Sequence, residues 1–351
     1  MKPMRRAVYV GEEAEGRALL ERAPVVHIAT TDAEGRPVLR VVHGVLDGDL
    51  LAFHGAPAGE KMSGLGRRAV ASAHETIAEI PSWFLDPERA CPATTYYVSA
   101  QIEGVLEEIT DPPRKARLLQ KLMEKLQPEG RHVPIDLENE ASAALYEKAV
   151  KGLLVAAIRI DALACKAKLG QNRQPAERTR VIEQLWQRGD VAAVDLLIRR
   201  FPELAPARFS ADGLSFFCAM DDAEVDEALG LLRDVYWLTG IPEARRRAAI
   251  RCSSVVFARD ERGIAAFARA VSDGRTAWIY DVVVRPESRG TGVGKALFRF
   301  LLDHPAVRDA RLVRLGTRDA MDFYRRFGFV DFSVIQAKKP YVSTEMVLGR
   351  V

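Results

Sequence analysis

The sequence predicts two domains: a mostly-β N-terminal domain with a few helices, and a C-terminal α/β domain with a mixed central sheet. The chain of 351 residues is long enough to bury two hydrophobic cores. Its first half is a series of short β-rich segments, whereas in its second half strands and helices alternate around a glycine-rich turn. A proline-bearing segment without periodicity, 201–206, lies between the halves. We therefore predict domains at 1–210 and 211–351.

Composition and charge limit the possible partners and location. Hydrophobic residues make up 48% of the chain and charged residues 28%, which is typical of a globular protein. The net charge is only +3 and basic residues are interspersed with acidic ones, which argues against binding to nucleic acid or to a membrane surface. No apolar run is long enough to span a bilayer, and the first residues lack the apolar core of a signal peptide. We expect a cytoplasmic protein.

The cysteines and histidines predict neither disulfides nor a metal site. His27, His43 and His74 lie in predicted strands and have no cysteine or carboxylate at ligand spacing. The four cysteines form no Cys-x-x-Cys pair, and we interpret them as reduced thiols. They are Cys91, Cys165, Cys218 and Cys252.

The first half contains about six predicted strands and few helices. Asp47-Gly48 is a hairpin signal, and an amphipathic helix follows the break at 111–113. Two further helices at 176–188 and 191–200 complete the domain. The strands are predicted at 25–30, 38–46, 50–53, 70–80, 96–109 and 153–160. This content suggests a small closed barrel.

The second half begins with two helices and continues with a sheet. Asp221 and Asp222 cap a helix predicted to run to Tyr236, and Pro242 begins the next. Strands at 254–258 and 264–271 form a hairpin, and a third strand enters the glycine-rich turn and its helix. A strand at 312–315, a helix at 319–327 and two final strands complete the order αα-ββ-β-α-β-α-β-β up to Leu348.

The glycine-rich turn predicts capture of a pyrophosphate-bearing cofactor. An apolar strand at 282–284 is stopped by Pro286, and a helix follows the turn. The first N–H groups of such a helix have no partners and attract phosphate, while glycines let the ligand approach the backbone. A Walker A loop needs Ser or Thr after the lysine, where this chain has Ala296, and a dinucleotide fingerprint needs Gly-x-Gly-x-x-Gly. An ordinary glycine-rich connection is the remaining alternative.

The turn resembles the acetyl-CoA loop of the GNAT acyltransferases, because Arg289-x-x-Gly292-x-Gly294 has the spacing of that loop. The order of predicted elements also agrees with the GNAT fold. The resemblance implies that backbone amides of Val282, Val283 and Val284 orient the pantetheine. It implies a pyrophosphate site made of Arg289, Gly290, Thr291, Gly292, Val293, Gly294 and Lys295.

Residues 317–329 resemble the second GNAT signature, a short helix that carries Phe-Tyr and ends in Gly-Phe. The resemblance implies that Tyr324 lies near the thioester sulfur and protonates the departing thiolate. The alternative is that Tyr324 only packs in the core. Asp281 begins the cofactor strand and could deprotonate an amine, although a carboxylate there could equally pair with an arginine.

Three clusters of polar and small residues in the first half stand where strands end, at 53–61, at 80–84 with 92–97, and at 166–173. Their order resembles the FMN-binding split barrels related to pyridoxamine 5′-phosphate oxidase, and the PaiB type in particular, over 23–188. The resemblance implies FMN bound between the two subunits of a homodimer. The implied FMN residues are His54, Gly55, Ala56, Lys61, Thr94, Thr95, Gln171, Asn172 and Arg173.

This chain departs from the split-barrel pattern in two places. Glu60 precedes Lys61 where oxidase relatives often have arginine, and an adjacent carboxylate repels a phosphate. Thr94-Thr95 replaces a Thr-Trp pair and removes an aromatic surface. His54 matches a histidine near the flavin in related nitroimidazole-resistance barrels, or it is a hydrogen-bonded histidine at a strand end.

Together these observations predict an acetyl-CoA-dependent N-acetyltransferase acting on a small-molecule amine or a peptide amine, fused to an FMN-binding module. Two alternatives remain. One is an FMN-dependent reductase or oxidase, and the other is a regulatory sensor that binds flavin and acyl-CoA without turnover.

Overall fold

The computed structural model describes residues 4–59 and 63–337. The chain divides into two compact units, Met1–Pro206 and Ala207–Val351. Ser210 and Ala211 already belong to a strand of the second unit's sheet. The boundary after residue 210 stays a prediction.

The first unit is built on one seven-stranded antiparallel sheet with strand order β2-β1-β5-β6-β7-β4-β3. Most of its strands lie where the sequence places them, but β5, β6 and β7 are long, and β7 extends eight residues beyond the predicted end at 160. The strands are β1 (Val26–Thr31), β2 (Pro37–Val42), β3 (Gly44–Asp47), β4 (Leu50–Gly55), β5 (Arg68–Ile80), β6 (Thr94–Glu108) and β7 (Leu154–Lys168).

The sheet curls into a split barrel. β2 and β3 lie at opposite edges of the strand order, yet only His43 separates them in sequence. The prediction of one strand at 38–46 was therefore wrong, because the chain leaves one edge and joins the other at this residue. A Cβ atom at Gly44 would lie 2.8 Å from Val26 Cγ2 and 3.2 Å from Leu51 Cδ1, so glycine is needed at this corner.

Five helices accompany the barrel in the described part of the first unit. Asp111 caps α2 by accepting a hydrogen bond from the backbone N–H of Arg114 at 2.9 Å. Leu118, Leu119 and Leu122 of α2 are buried against the barrel, whereas Leu126 at its end is exposed. The helices are α1 (Glu13–Arg22), α2 (Pro112–Leu126), α3 (Glu140–Gly152), α4 (Pro175–Arg188) and α5 (Val191–Arg200).

The second unit has a mixed six-stranded sheet with order β13-β12-β11-β10-β9-β8, which confirms the predicted α/β domain with a mixed sheet. All pairs are antiparallel except β12 and β13, which are parallel. The strands are β8 (Ser210–Ala211), β9 (Leu214–Phe217), β10 (Ser254–Asp260), β11 (Gly263–Ser272), β12 (Thr276–Val284) and β13 (Leu312–Arg314).

The helices of the second unit differ from the prediction at two places. α6 (Asp222–Leu231) ends five residues before the predicted Tyr236, which instead begins a short 3₁₀ turn, Tyr236–Leu238. After Gly328 the predicted order continues with two strands, but the described chain forms the short helix Phe332–Gln336 there, and residues 338–351 lie outside the described residues. The remaining helices are α7 (Glu243–Arg251), α8 (Val293–Asp303), α9 (Pro305–Arg308), α10 (Met321–Arg325) and α11 (Phe332–Gln336). Within 4–59 and 63–337, no helix is long and apolar enough to cross a membrane.

Candidate functional site

The site in the second unit is organised around β12, which separates from its neighbour β13. The two strands pair only at Thr276, Ala277 and Trp278, so the second half of β12 has no strand beside it on that edge among the described residues. The N–H of Arg285 donates to Ala265 on β11 at 2.8 Å. Since backbone groups alternate sides along a strand, Val284 and Val282 direct their N–H and C=O groups away from β11, toward the gap.

A cavity of about 820 Å³ lies along this open edge. This volume is within the range of about 300–1,000 Å³ that is typical of ligand pockets. Besides Tyr324, its walls combine four aromatic side chains with two acidic and two basic ones. They are Tyr236, Trp237, Trp278 and Tyr280, then Asp281, Asp319, Arg269 and Arg289.

The glycine-rich turn leaves the first turn of α8 open. Gly290 and Gly292 have φ of 78° and 95°, and a Cβ atom at either would meet no atom within 4 Å. Gly292 is the N-cap and supplies no side-chain cap; its carbonyl accepts the first helical bond, from Ala296 at 3.0 Å. The N–H groups of 293–295 accordingly have no acceptor in the described part of the chain. Donors without a partner in an open glycine turn fit a pyrophosphate.

Arg289 lies against the strand as well as beside the turn. Its Nε donates to the carbonyl of Val284 at 3.2 Å, and the side chain lines the 820 Å³ cavity. Gly294, one turn into α8, would place a Cβ atom 3.1 Å from Val284 Cγ2. The small residue at 294 therefore lets α8 pack closely on the end of β12.

Tyr324 reaches the cavity from α10. Its ring packs on Phe298, Phe323 and Phe329 at centroid distances of 5.2, 5.1 and 6.1 Å, which fixes its position. Burial raises the pKa of the Tyr324 hydroxyl, and the nearby Tyr236 and Asp319 raise it further. No group of 4–59 or 63–337 hydrogen-bonds this hydroxyl, so it can donate to a ligand in the cavity.

Asp281 occupies a bulge in β12. Between the pairs Phe267↔Val283 and Arg269↔Tyr280, β12 carries one residue more than β11, and Asp281 adopts a φ of 54°. Asp281 is buried, with 8% of its surface exposed. Its Oδ2 accepts from Arg269 Nε at 2.5 Å and its Oδ1 from Trp237 Nε1 at 3.0 Å. Both carboxylate oxygens are therefore already engaged, by an ion pair with an arginine and by the indole of Trp237.

The predicted flavin residues form two separate groups in the first unit. Gly55 at the end of β4 pairs with Leu154 at the start of β7, whereas Tyr97 on β6 pairs with Lys168 at the end of β7. Fourteen steps of β7 separate Leu154 from Lys168, a path of about 46 Å at 3.3 Å per residue. His54, Gly55 and Ala56 therefore lie at the Leu154 end of β7, whereas Thr94, Thr95, Gln171, Asn172 and Arg173 lie near its Lys168 end. Lys61 lies outside the described residues.

The second of these groups borders a cavity of about 180 Å³ at the end of β6 and β7. Thr94, Asn172 and Arg173 line it. Gln171 faces its own turn instead: its Oε1 accepts from the N–H of Leu169 and its Nε2 donates to the carbonyl of Ala167, both at 2.7 Å. The amide of Gln171 thus braces the turn.

Two family models match the chain, one in each unit. Residues 12–161 match the model described as pyridoxamine 5′-phosphate oxidase. Residues 252–331 match the acetyltransferase (GNAT) domain. The chain joins an oxidase-like domain to a GNAT domain. These two matches confirm both family resemblances derived from the sequence.

The GNAT domain resembles two curated N-acetyltransferases. Serotonin N-acetyltransferase 2, chloroplastic, of Oryza sativa subsp. japonica is 32% identical over 130 residues, which is 34% of this chain and 65% of that protein. The uncharacterized N-acetyltransferase ycf52 of Porphyra purpurea is 30% identical over 96 residues, 25% of this chain and 55% of that protein. The chain thus spans less than two thirds of the length of either relative.

The oxidase-like domain has neighbours among solved structures. The flavocytochrome Anf3 from Azotobacter vinelandii is 19% identical, with a TM-score of 0.38, over 45% of this chain and 68% of that chain.

Sequence reasoning missed several residues of both domains. In the GNAT domain, Trp278 and Tyr280 are two residues apart on β12 and line the same cavity, a spacing that places them on one face of a strand. Arg269 is a charged residue in an otherwise apolar strand, and this break in the pattern could have marked it as a candidate site residue. In the oxidase-like domain, Tyr96 and Lys168 line the smaller cavity, although the sequence analysis quoted them only as part of their clusters.

Proposed function

We propose that the GNAT domain transfers the acetyl group of acetyl-CoA to an amine. The observation that supports this most is the open first turn of α8 beside the gap between β12 and β13. That arrangement supplies donors for a pyrophosphate and an extended edge for the pantetheine arm. The two curated relatives, both named N-acetyltransferases, favour an amino group as the acceptor.

The proposed mechanism uses few residues. Acetyl-CoA, when bound, supplies an acetyl group activated as a thioester. The amine nitrogen attacks the carbonyl carbon, so that a C–N bond forms and the C–S bond breaks. The hydroxyl of Tyr324 gives its proton to the leaving sulfur and recovers one from solvent, while the acetylated nitrogen releases its extra proton to water. The N–H and C=O groups of Val282 and the N–H group of Val284 orient the arm, since the carbonyl of Val284 already accepts from Arg289 Nε.

Asp281 is proposed as a positioning residue, since its carboxylate links the 3₁₀ turn of Trp237 to β12. Asp281→Asn keeps an acceptor for the indole and tolerates the left-handed backbone, so we expect kcat within about threefold of the wild type. Asp281→Ala removes both contacts, and we expect the KM for the amine to rise about tenfold, as for loss of one charged hydrogen bond. Steady-state kinetics with each substrate varied will measure this.

A general base at Asp281 would give the opposite pattern. Both variants would then lose at least about 100-fold in kcat, and the acid limb of the pH–rate profile would disappear. That result would return Asp281 to the catalytic role that the sequence suggested.

For the oxidase-like domain we propose flavin binding at a site completed by a second copy of the chain. The cavity of about 180 Å³ is smaller than the range of about 300–1,000 Å³ of pockets that hold whole ligands. The residues of one chain therefore fit the phosphate end of FMN and not the complete nucleotide. The groups at opposite ends of β7 could meet around one flavin only across a homodimer. A bound flavin would supply hydride or electron transfer.

Binding and turnover of the purified full-length chain test the proposal. We expect saturable calorimetric binding of acetyl-CoA and acetylation of at least one member of a panel of arylalkyl, polyamine and peptide amines. Tight binding without acetylation of any amine would favour the sensor alternative. A flavin absorbance spectrum with NAD(P)H turnover would add the reductase alternative, and a colourless protein that does not bind FMN would contradict the flavin proposal.

A further inference from the structure

One wall of the cavity of about 820 Å³ in the second unit is formed by an irregular segment of the chain. After α6 ends at Leu231, residues 232–241 pass through the 3₁₀ turn Tyr236–Leu238 to α7, which begins at Glu243. We call residues 232–241 the wall segment. Four of its side chains line the cavity, namely Tyr236, Trp237, Leu238 and Ile241.

The wall segment faces the part of the cavity that lies away from the glycine-rich turn. The indole of Trp237 donates to Asp281, whereas Arg289 beside that turn donates to the carbonyl of Val284. Asp281 and Val284 are three residues apart on β12, about 10 Å at 3.3 Å per residue. Under the proposed acetyl transfer the pyrophosphate lies at the turn and the thioester arm runs along β12, so the amine approaches beside the wall segment.

Hydrogen bonds within the wall segment are local and mostly long. The N–H groups of Leu238, Thr239 and Ile241 donate to carbonyls of the segment at 3.2, 3.4 and 3.1 Å. The Thr239 hydroxyl adds a bond of 2.9 Å to the carbonyl of Tyr236. The three backbone bonds exceed the usual length of about 2.9–3.0 Å, as expected for a single 3₁₀ turn. The segment therefore depends on contacts from other elements for its shape.

Arg246 on α7 supplies such contacts from behind the wall segment. Its Nε donates to the carbonyl of Ile241 at 2.8 Å, and its Nη2 to the carbonyl of Leu238 at 3.0 Å. Its Nη1 donates to the carbonyls of Leu232 and Arg233 at 3.1 and 3.4 Å. All three guanidinium nitrogens thus bind carbonyls of one segment, while Arg246 itself lies outside the cavity lining.

The chemistry of arginine suits this arrangement. Its planar guanidinium carries five donors in a fixed geometry, whereas lysine has a single nitrogen. The carbonyls of 232 and 233 follow the end of α6, where helix carbonyls lack helical partners and attract positive charge. The neighbouring Arg247 instead pairs with Asp226 and Glu243 and makes no bond to the wall segment in the described part of the chain.

We propose that Arg246 is a positioning residue for amine binding, an inference that rests on the proposed acetyl transfer. By holding the wall segment, Arg246 keeps Tyr236 and Trp237 against the place where the amine binds. If the wall is in place in only a fraction of the molecules, the apparent affinity for the amine falls by that fraction. Acetyl-CoA is held by residues 289–295 and β12, which Arg246 does not contact through any of its four bonds. Arg246 therefore acts on the amine and not on the cofactor.

Two neighbouring arginines make a matched pair of variants. With the amine that the full-length wild type acetylates fastest, Arg246→Ala should raise the KM for the amine at least about tenfold, as for loss of one charged hydrogen bond or more. The value of kcat and the calorimetric affinity for acetyl-CoA should stay within about threefold of the wild type. Arg247→Ala removes the same charge from the same helix and should leave the KM for the amine within about threefold. Arg246→Lys keeps one charged donor and should give an intermediate KM.

The outcomes separate a positioning role from a merely structural one. Equal KM values for the amine in the wild type, Arg246→Ala and Arg246→Lys would overturn the inference. A loss of acetyl-CoA affinity in Arg246→Ala as large as the rise in the amine KM would also overturn it, because that result indicates general unfolding of the domain. If Arg246→Ala does not fold, Arg246→Lys decides in its place, and an unchanged KM in that variant counts against Arg246.

Hydrogen–deuterium exchange tests the same inference without turnover. Exchange in peptides that cover 234–241 should be faster in Arg246→Ala than in the wild type, and unchanged in Arg247→Ala and in peptides that cover 289–301. A wild type that acetylates no amine would contradict the proposed function, and exchange would then decide the inference by itself. Faster exchange confined to 234–241 would support the hold of Arg246 on the wall segment, and unchanged exchange there would overturn it.

Discussion

Replacement of Gly292 by glutamate should abolish measurable binding of acetyl-CoA. The side chain would enter the open turn in front of the N–H groups of 293–295 and place a negative charge against the pyrophosphate. Each charge-assisted hydrogen bond is worth about 1.5–3 kcal/mol, so the loss of two corresponds to at least about 100-fold in affinity. Isothermal titration calorimetry of the full-length variant with acetyl-CoA and with CoA measures the change.

Two further variants separate the effect of charge from that of backbone strain. Gly292 has a φ of 95°, so any side chain there is strained by roughly 1–2 kcal/mol. Gly292→Ala carries this strain without the carboxylate and should keep more affinity than Gly292→Glu. Gly274→Glu places the same residue at a φ of 82° in the turn between β11 and β12, at the other end of β12, and should bind normally. Unchanged affinity in Gly292→Glu would contradict the placement of the pyrophosphate.

Features that depend on local chemistry could be predicted from the sequence. The turn around Gly292 was predictable because an apolar strand, a proline, closely spaced glycines and an amphipathic segment stand in order. The caps at Asp111 and Asp221 were predictable for the same reason, and the side chains of both accept from a backbone N–H in the first turn. Each of these signals is complete within a few residues.

Features that depend on contacts between distant segments could not be predicted in the same way. The break at His43 follows from closure of the barrel, where Gly44 meets Val26 and Leu51. The carboxylate of Asp281 is held by Arg269 on the neighbouring strand and by Trp237 on a preceding turn. Both open alternatives for Asp281 were visible in the sequence, but the partner was not.

The residues predicted to bind flavin show a different reason for an incomplete prediction. The polar and small residues of a cluster show that it lies where a strand ends. They do not show at which end of the sheet that point lies. In β7, Leu154 and Lys168 both stand at strand ends, and the register with β4 and β6 assigns them to opposite ends of the strand. The composition of the clusters therefore indicates the residue types of a site, whereas its division between two subunits was implied only by the family resemblance.

Tyr324→Phe should lower kcat for acetyl transfer by at least about 100-fold while the KM values for both substrates change little. General-acid catalysis by a positioned side chain typically contributes about 10²–10⁴-fold, and the variant removes only the proton donor. The phenylalanine ring keeps the packing on Phe298, Phe323 and Phe329, so folding should be preserved. Steady-state kinetics over a range of pH, with circular dichroism of the variant, measure both points.

Two measurements distinguish proton donation by Tyr324 from a packing role. They are the pH dependence of the rate and the kinetics of a variant of a second tyrosine in the same cavity. Because burial raises the pKa of Tyr324, its hydroxyl keeps its proton to a higher pH than an ordinary tyrosine does. The fall in rate as the hydroxyl finally ionises should appear only at higher pH in the wild type and should be absent from Tyr324→Phe. Tyr280→Phe removes a hydroxyl from the same cavity and should retain kcat within about threefold, since no proton is assigned to it. Equal kcat values for Tyr324→Phe and the wild type would leave Tyr324 a packing residue and require the thiolate to take its proton from water.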